Sequence, residues 1–264
     1  GSFVARSGLV FPTFNTDFEK HVVDFNPGDV PNSWAIYASV DHGLNNPTAW
    51  LWHAVSPNGD IVTFAEHYQT NMIVSEHSAV VRNRELSWGK DPEEVERMGD
   101  PAMRQRSGIT GTSILQEYAL HGVYINVEGI PHDVLVGVEK MQAYFRFRDD
   151  SHWGKGRPKW VISRNCINFL REMKKLRWGT YSSDKTAYEM NKQEVVHKKD
   201  DHAFDSARYF ATTRPDLTPF NVEMPKEPPT TLRYEELLLR MQNDPEVSFV
   251  DSDPEWVTVT SYGE

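Results

Sequence analysis

The first regular part of the chain alternates between apolar and polar positions. This two-residue period and many strand-forming residues predict a strand over Trp34–Asp41, and two further strands are predicted over Thr48–Val55 and Ile61–Tyr68. The segments between them are rich in Asn, Gly and Pro, and Ser56–Asp60 carries a strong hairpin signal. We therefore expect three consecutive antiparallel strands at the start of the fold.

Beyond these strands the spacing of apolar residues switches between helical and extended. Apolar residues three and four positions apart predict amphipathic helices, and short β-rich runs predict further strands. The predicted helices cover 72–86, 113–121, 132–147, 166–176 and 200–212, and the predicted strands cover 94–99, 123–127 and 159–163. Three antiparallel strands followed by alternating helices and strands predict an α/β fold, with a mixed central sheet flanked by helices.

Both ends of the chain lack this periodicity. Residues 1–33 are rich in Phe, Asn, Pro and Gly and are interpreted as an extended lead-in or linker. Residues 215–264 begin with a Pro-rich linker, followed by a short predicted helix over 234–241 and an acidic tail. One folded domain is therefore expected, over 34–214.

Composition excludes several classes of protein. The 264 residues include one cysteine, Cys166, which excludes a disulfide framework and a zinc site built from several thiolates. The sequence contains no run of roughly eighteen apolar residues, and no basic segment followed by an apolar one opens it. We therefore expect no membrane insertion or secretion, and an intracellular location.

Charge is distributed unevenly along the chain. The total is −10, from 28 Lys and Arg against 38 Asp and Glu. Residues 140–177 hold eleven basic residues and three acids, a net charge of +8, whereas residues 216–264 reach −8. A basic stretch interleaved with aromatic residues is typical of contact with phosphates and bases. A solvated helix face with a loop explains the same composition equally well.

Four acids stand where strand or helix ends would expose them. Asp41 ends the first predicted strand, Asp100 ends a later one, and Asp201 and Asp205 share a face of the last helix. Carboxylate oxygens are the ligands that Mg²⁺ and Mn²⁺ prefer, and two such ions about 4 Å apart favour phosphodiester hydrolysis. Taken singly, each acid also has an ordinary role as a turn, loop or helix-capping residue.

The order of these motifs resembles the C-terminal nuclease domain of the large terminase subunits of tailed bacteriophages. The resemblance covers residues 34–214 and is most specific in the Asp-His-Ala-x-Asp-x-x-Arg-Tyr block at 201–209. It also rests on three shorter motifs, Val40-Asp41-His42-Gly43 with Pro47, Gly99-Asp100-Pro101-Ala102, and Cys166–Glu172. The resemblance implies a ribonuclease H-like fold and a metal-dependent endonuclease that cuts concatemeric viral DNA during genome packaging.

The resemblance also implies roles for individual residues. Asp41 and Asp100 correspond to the first and second catalytic acids, and both Asp201 and Asp205 qualify as the third, with His202 as a helper. In the implied two-metal mechanism Asp41 bridges two Mg²⁺ or Mn²⁺ ions, Asp100 holds one of them, and Asp205 with Asp201 holds the other.

Basic residues near these acids are candidates for binding DNA. Lys155, Arg157 and Lys159, next to two glycines in the basic stretch, are expected on a mobile loop near the cut site. Arg104 and Arg106, which follow Asp100, are second candidates, and solvated loop arginines are an equally good interpretation of this pair.

Partners and location follow from the resemblance. They are double-stranded DNA, an ATPase motor domain, a small terminase subunit and a portal, in the host cytoplasm and transiently at the viral procapsid, with no membrane. Two alternatives stay open. One is a junction resolvase or transposase-like nuclease of the same fold, and the other is a non-catalytic module that docks a packaging motor onto a portal.

Overall fold

The computed structural model describes residues 8–108, 111–131, 133–179, 196 and 200–214. All of them belong to Gly1–Leu217, the first of two units into which the chain divides. In chain order the strands are β1 (Val22–Val23), β2 (Ala35–Asp41), β3 (Thr48–Val55), β4 (Ile61–Gln69), β5 (Glu96–Gly99), β6 (Phe147–Arg148), β7 (Arg157–Pro158) and β8 (Trp160–Ser163).

Six of these strands form one mixed sheet in the order β1-β8-β4-β3-β2-β5. Strands β2, β3 and β4 pair antiparallel in succession, as the alternating pattern predicts. Strands β5, β8 and β1 join at the two sides in parallel. Strands β6 and β7 form a separate two-stranded hairpin.

Seven helices accompany these strands in the described residues. They are α1 (Thr13–Thr16), α2 (Phe18–His21), α3 (Val74–Ser87), α4 (Ile114–Leu120), α5 (Val134–Phe145), α6 (Ile167–Lys175) and α7 (His202–Thr212). The five predicted helices are confirmed, with ends that differ by up to two residues. Each buries one face, and the buried face of α3 includes the polar residues His77, Ser78 and Glu85.

The sheet is buried on both faces, and β3 at its centre shows why. Trp50 and Trp52 point into one core, which also contains side chains of α3 and α4. Leu51, between them, points into the other core, which contains side chains of α5, α6 and α7. Both faces are therefore covered by helices, and the predicted α/β class with a mixed sheet is confirmed.

The N-terminal segment differs from the extended lead-in expected over 1–33. Residues 13–21 form α1 and α2, and β1 pairs with β8 in parallel, with Val22 opposite Ile162. Phe14 is fully buried in the core. These short elements lack a sequence period because contacts with distant residues stabilise them.

A second difference concerns the strand predicted over 123–127. In the structure this segment makes only an isolated bridge, between Asn126 and Met98. The side chains of Val123 and Val127 are nevertheless buried, which explains the strand-like pattern. The linker, helix and acidic tail expected over 215–264 lie outside the described residues.

Two further expectations from the sequence concern the single cysteine and membrane-spanning helices. Cys166 is a free, buried cysteine, and burial raises the pKa of its thiol well above the ordinary value. Within the described part of the chain, no helix is long and apolar enough to cross a membrane.

Candidate active site

The direction of the strands gathers several polar residues at one edge of the sheet. Strands β2, β4, β5 and β8 run the same way, so their C-terminal ends share this edge. Val40 lies opposite Gly99 in the parallel pair of β2 and β5. The next residue is an acid in both cases, Asp41 at the end of β2 and Asp100 directly after β5, so the two acids lie at the same edge of the sheet.

Gly99 allows β5 to approach β2 closely. A Cβ atom at this position would lie 2.9 Å from Val40 Cγ1 and 3.0 Å from Met103 Sδ. Asp100 then caps the short 3₁₀ helix Pro101–Arg104, since its Oδ1 accepts a hydrogen bond from the Ala102 amide at 2.8 Å. The tight packing before Asp100 and the turn after it fix where this carboxylate lies.

Helix α7 brings the third group of acids over the same edge. The helix packs on β2, β3 and β5, and the hydroxyls of Ser206 and Ser39 are hydrogen bonded at 2.9 Å in the core. Asp201 precedes the helix and Asp205 lies one turn later, where its backbone amide donates to the Asp201 carbonyl at 2.8 Å. Both acids are buried.

Asp41 lies at the centre of this arrangement. Its Oδ2 is 2.9 Å from Nδ1 of His202. Burial raises the pKa of Asp41, the hydrogen bond from His202 opposes that rise, and the negative charges of Asp205 and Asp100 add to it. The hydrogen bond to Asp41 in turn raises the pKa of His202. Asp41, Asp100 and Asp205 therefore form one electrostatically coupled group, called here the acid cluster.

Asp205 has a cationic partner on its own helix. Nε of Arg208 donates to Oδ1 of Asp205 at 2.8 Å, and both side chains are almost completely buried. Buried charges of this kind are stable only when paired.

Solved structures provide a comparison for this arrangement. No protein-family model matches the sequence, and no curated protein gives a significant match. The structure of a large terminase from a thermophilic bacteriophage, in complex with ADP, matches with a TM-score of 0.58 at 19% identity, over 81% of this chain and 46% of that chain. The P22 large terminase nuclease domain matches with a TM-score of 0.55 at 16% identity, over 78% of this chain and 92% of that chain.

The chain has the fold of a large-terminase nuclease domain. It spans about half the length of the ADP-bound large terminase but nearly the whole P22 nuclease domain. A weaker match is the large terminase nuclease from the thermophilic phage G20c with bound cobalt, at 10% identity and a TM-score of 0.47. A likeness that weak supports no argument from that metal to this chain.

The terminase nuclease fold raises the question of whether the acid cluster fits a metal ion. Among the described residues, no three His, Cys, Asp or Glu side chains are arranged to hold one. Each acid is instead engaged by the protein: Asp41 by His202, Asp205 by Arg208, and Asp100 by the Ala102 amide. In ligand type and charge, however, three neighbouring carboxylates suit a hard divalent cation, which would offset their mutual repulsion.

The basic residues predicted to bind DNA divide between the two edges of the sheet. Arg104 and Arg106 are exposed just beyond Asp100, at the edge of the acid cluster. Lys155, Arg157 and Lys159 instead precede β8, whose first residue lies opposite Ile61 at the start of β4. The length of β4 therefore separates them from the acid cluster, and their contact with DNA stays a prediction.

The residues of this hairpin also have structural partners. Arg157 donates to the backbone carbonyls of Glu19, Lys20 and Val22, which holds the end of α2. Lys159 pairs with Asp150 at 3.2 Å, and Lys155 lies 3.9 Å from Asp149. A basic composition cannot reveal such pairings, because the partners of Arg157 are distant in sequence.

Glu172 is a further buried acid at the same edge of the sheet as the acid cluster, and the sequence patterns predict no role for it. It lies on α6 with 2% of its surface exposed. Its Oε2 accepts from the Phe204 amide in the first turn of α7 at 2.9 Å, and its Oε1 accepts from the Tyr68 hydroxyl at 2.8 Å. Burial raises the pKa of Glu172 to about 7. The sequence contained one indication that Glu172 is buried, namely its position on the apolar face of an amphipathic helix.

Proposed function

We propose that this chain is a metal-dependent DNA endonuclease that cuts concatemeric viral DNA during genome packaging. The observation that carries the proposal is the acid cluster of Asp41, Asp100 and Asp205, gathered at one sheet edge of a terminase nuclease fold. An acid cluster that is costly to bury calls for a function, since pKa values perturbed by like charges concentrate at functional sites.

The acid cluster would hold Mg²⁺ or Mn²⁺, two ions in the full mechanism. Asp205 is the stronger candidate for the third ligand because its charge acts on Asp41, whereas Asp201 lies one turn earlier at the start of α7. Bound ions of this class neutralise a phosphate and make a water more acidic. To accept them, Asp205 would exchange its contact with Arg208, whereas Asp41 would use the carboxylate oxygen that His202 does not contact.

The reaction is the hydrolysis of a phosphodiester. A water oxygen bonds to phosphorus while the bond from phosphorus to the 3′ oxygen breaks, which leaves a 5′ phosphate and a 3′ hydroxyl. His202 is oriented by Asp41 through Nδ1, so its Nε2 is the nitrogen suited to take a proton from the water. Arg104 and Arg106 would contact the DNA backbone beside Asp100.

Plasmid nicking tests this function. Supercoiled DNA should be nicked and linearised with MgCl₂ or MnCl₂ and remain intact with EDTA. Linear, nicked and branched DNA are compared in the same assay. A preference for branched DNA would favour a junction resolvase or transposase-like nuclease, and no metal-dependent cutting of any substrate would favour a portal-docking module.

The remaining partners belong to the same proposal. Because the chain spans about half of the ADP-bound large terminase, an ATPase motor domain is proposed to act with it. A small terminase subunit and a portal complete the proposed assembly, in the host cytoplasm and transiently at the procapsid.

The two arginines near Asp100 give a direct prediction for DNA binding. Arg104 is half-exposed and pairs with exposed Glu128 at 3.0 Å, a contact that a phosphate can replace at little cost. Changing Arg104 and Arg106 to Gln should weaken binding to all sequences and reduce the slope of log affinity against log salt by roughly 1 to 2. Fluorescence anisotropy with duplex DNA at several salt concentrations measures both effects.

Lys155 and Lys159, which lie on either side of β7, provide the matched control. Changing Lys155 and Lys159 to Gln removes the same charge but leaves the edge of the acid cluster untouched. If this pair weakens binding more than the Arg104 and Arg106 pair does, DNA does not lie along the proposed edge.

A further inference from the structure

Helices α5 and α7 approach each other closely at one glycine. A Cβ atom on Gly137 of α5 would lie 2.2 Å from Cγ and 2.9 Å from Cδ of Arg208 on α7. Glycine is unfavourable inside a helix, so its presence one turn into α5 needs a reason. The reason in this structure is space, because the aliphatic part of Arg208 occupies the volume that any other side chain at 137 would fill.

Because Gly137 has no side chain, the Arg208 side chain can pack against it and place its guanidinium at the acid cluster. Arg208 has 3% of its surface exposed, and its Nε donates to Asp205. The guanidinium also lies over the ring of Tyr209, with Cζ 4.5 Å from the ring centroid. The charge of Asp100 acts on Arg208 as well as that of Asp205, so this cation faces two of the three acids.

The contact with Asp205 uses only part of the guanidinium. Nη1 is buried and has no hydrogen-bond partner among the described residues. The hydrogen bond to Asp205 runs through Nε, whereas Arg and a carboxylate can form two parallel hydrogen bonds. A contact made through one nitrogen can be exchanged more readily than a two-point one.

We propose that Arg208 is a built-in counter-charge of the acid cluster, which positions Asp205 and competes with divalent cations for it. Gly137 makes this possible by giving the Arg208 side chain a buried path between α5 and α7. The proposal rests on the proposed function for its metal, but the pairing of Arg208 with Asp205 stands on the contacts alone. Arg208 is thus a positioning residue, not a metal ligand.

Arg208→Met distinguishes a counter-charge that competes with the metal from a residue that binds the metal or only stabilises the fold. Methionine keeps an unbranched side chain beside Gly137 and removes the positive charge. Without metal, Asp205 and Asp100 then lack this counter-charge, so the melting temperature should fall. Mn²⁺ should bind about tenfold more tightly, because Arg208 no longer competes for Asp205, and should raise the melting temperature more than in the wild type.

The experiment uses the full chain, with MnCl₂ as the probe. Calorimetric titration gives the Mn²⁺ affinity, and thermal melts with EDTA or MnCl₂ give the stabilisation by metal. Arg208→Lys keeps the charge and should restore a Mn²⁺ response close to that of the wild type. Gly137→Ala should displace Arg208 and act in the same direction as Arg208→Met, and Glu139→Ala, at an exposed position of α5, is its control.

Two outcomes would overturn the proposal. One is an equal Mn²⁺ stabilisation in the wild type, Arg208→Met and Gly137→Ala. The other is additive effects of Arg208→Met and Asp205→Asn on the melting temperature in EDTA, since residues that form an ion pair should not be additive. A wild-type chain that neither binds Mn²⁺ nor cuts DNA would instead refute the proposed function, while the EDTA measurements would still test the pairing. If Arg208→Met does not fold, Arg208→Lys and Gly137→Ala carry the same test.

Discussion

Asp41→Asn should reduce metal-dependent plasmid nicking by about a thousandfold or more, equivalent to about 4 kcal/mol of transition-state stabilisation. Burial and the negative charges of both other acids of the cluster raise the pKa of Asp41, which also contacts His202. Asparagine retains an oxygen that can accept from His202 but loses the charge that a divalent cation needs. Nicking rates with MgCl₂ and MnCl₂ measure the loss.

Stability separates a lost site from a lost fold in this variant. Because burial and two neighbouring acids raise the pKa of Asp41, removing its charge should leave the melting temperature in EDTA unchanged or higher. Circular dichroism and thermal melts check this. Near wild-type nicking by well-folded Asp41→Asn would remove the acid cluster from the reaction.

A second acid of the cluster has a closely matched control elsewhere in the chain. Oδ1 of Asp100 accepts from the amide two residues later at 2.8 Å, and Oδ1 of exposed Asp91 does the same at 2.9 Å. Asp100→Asn should therefore lose nicking, whereas Asp91→Asn, which changes an equivalent turn away from the acid cluster, should retain it.

The sequence predicts the parts of the fold that depend on local pattern. Strand β2 alternates, strands β3 and β4 are rich in strand-forming residues, and turn-forming residues join the three, so their pairing could be predicted from the chain alone. The helices from α3 to α7 follow from apolar spacing in the same way. Elements α1, α2 and β1 could not be predicted, because Phe14 and Val22 are stabilised by residues far along the chain.

The candidate site shows the same division. The spacing of Asp201 and Asp205 predicts a shared helix face, and the motif order suggests that Asp41 and Asp100 meet. The partner of each acid could not be predicted, since Gly137 meets Arg208 only when α5 packs on α7. The place of Lys155, Arg157 and Lys159 in the fold could not be predicted for a related reason, because composition does not reveal the edge of the sheet at which β8 begins.

Glu172 gives the second large prediction, and it concerns stability as a function of pH. The pKa of this carboxyl is about 7 in the fold, against an ordinary value of 4.5. Its contribution to stability is therefore fully present below pH 4.5 and is lost as the pH rises through 7. At about 1.4 kcal/mol for each pKa unit, the loss reaches about 3 kcal/mol near pH 8.

Glu172→Gln should remove this loss. The amide keeps an oxygen for the Phe204 amide and presents an N–H to the Tyr68 hydroxyl, which can accept it. The variant should match the wild type near pH 4.5 and be more stable by about 2 to 3 kcal/mol at pH 8, as measured by urea unfolding in EDTA.

The buried histidines do not obscure this result. Burial lowers the pKa of His21 and His67 to about 4, so their contribution is lost as the pH falls from 6.5 towards 4, the opposite sign to that of Glu172. Because the wild type and Glu172→Gln both contain these histidines, the difference between their stability curves isolates residue 172.

Tyr68→Phe supplies an independent check: it removes a hydrogen bond that lowers the pKa of Glu172, so it should destabilise the fold more at pH 8 than at pH 4.5. A Glu172→Gln variant less stable than the wild type at pH 8 would mean that the ionised carboxylate is needed where it lies. The first turn of α7 would then depend on that charge as well as on the hydrogen bonds.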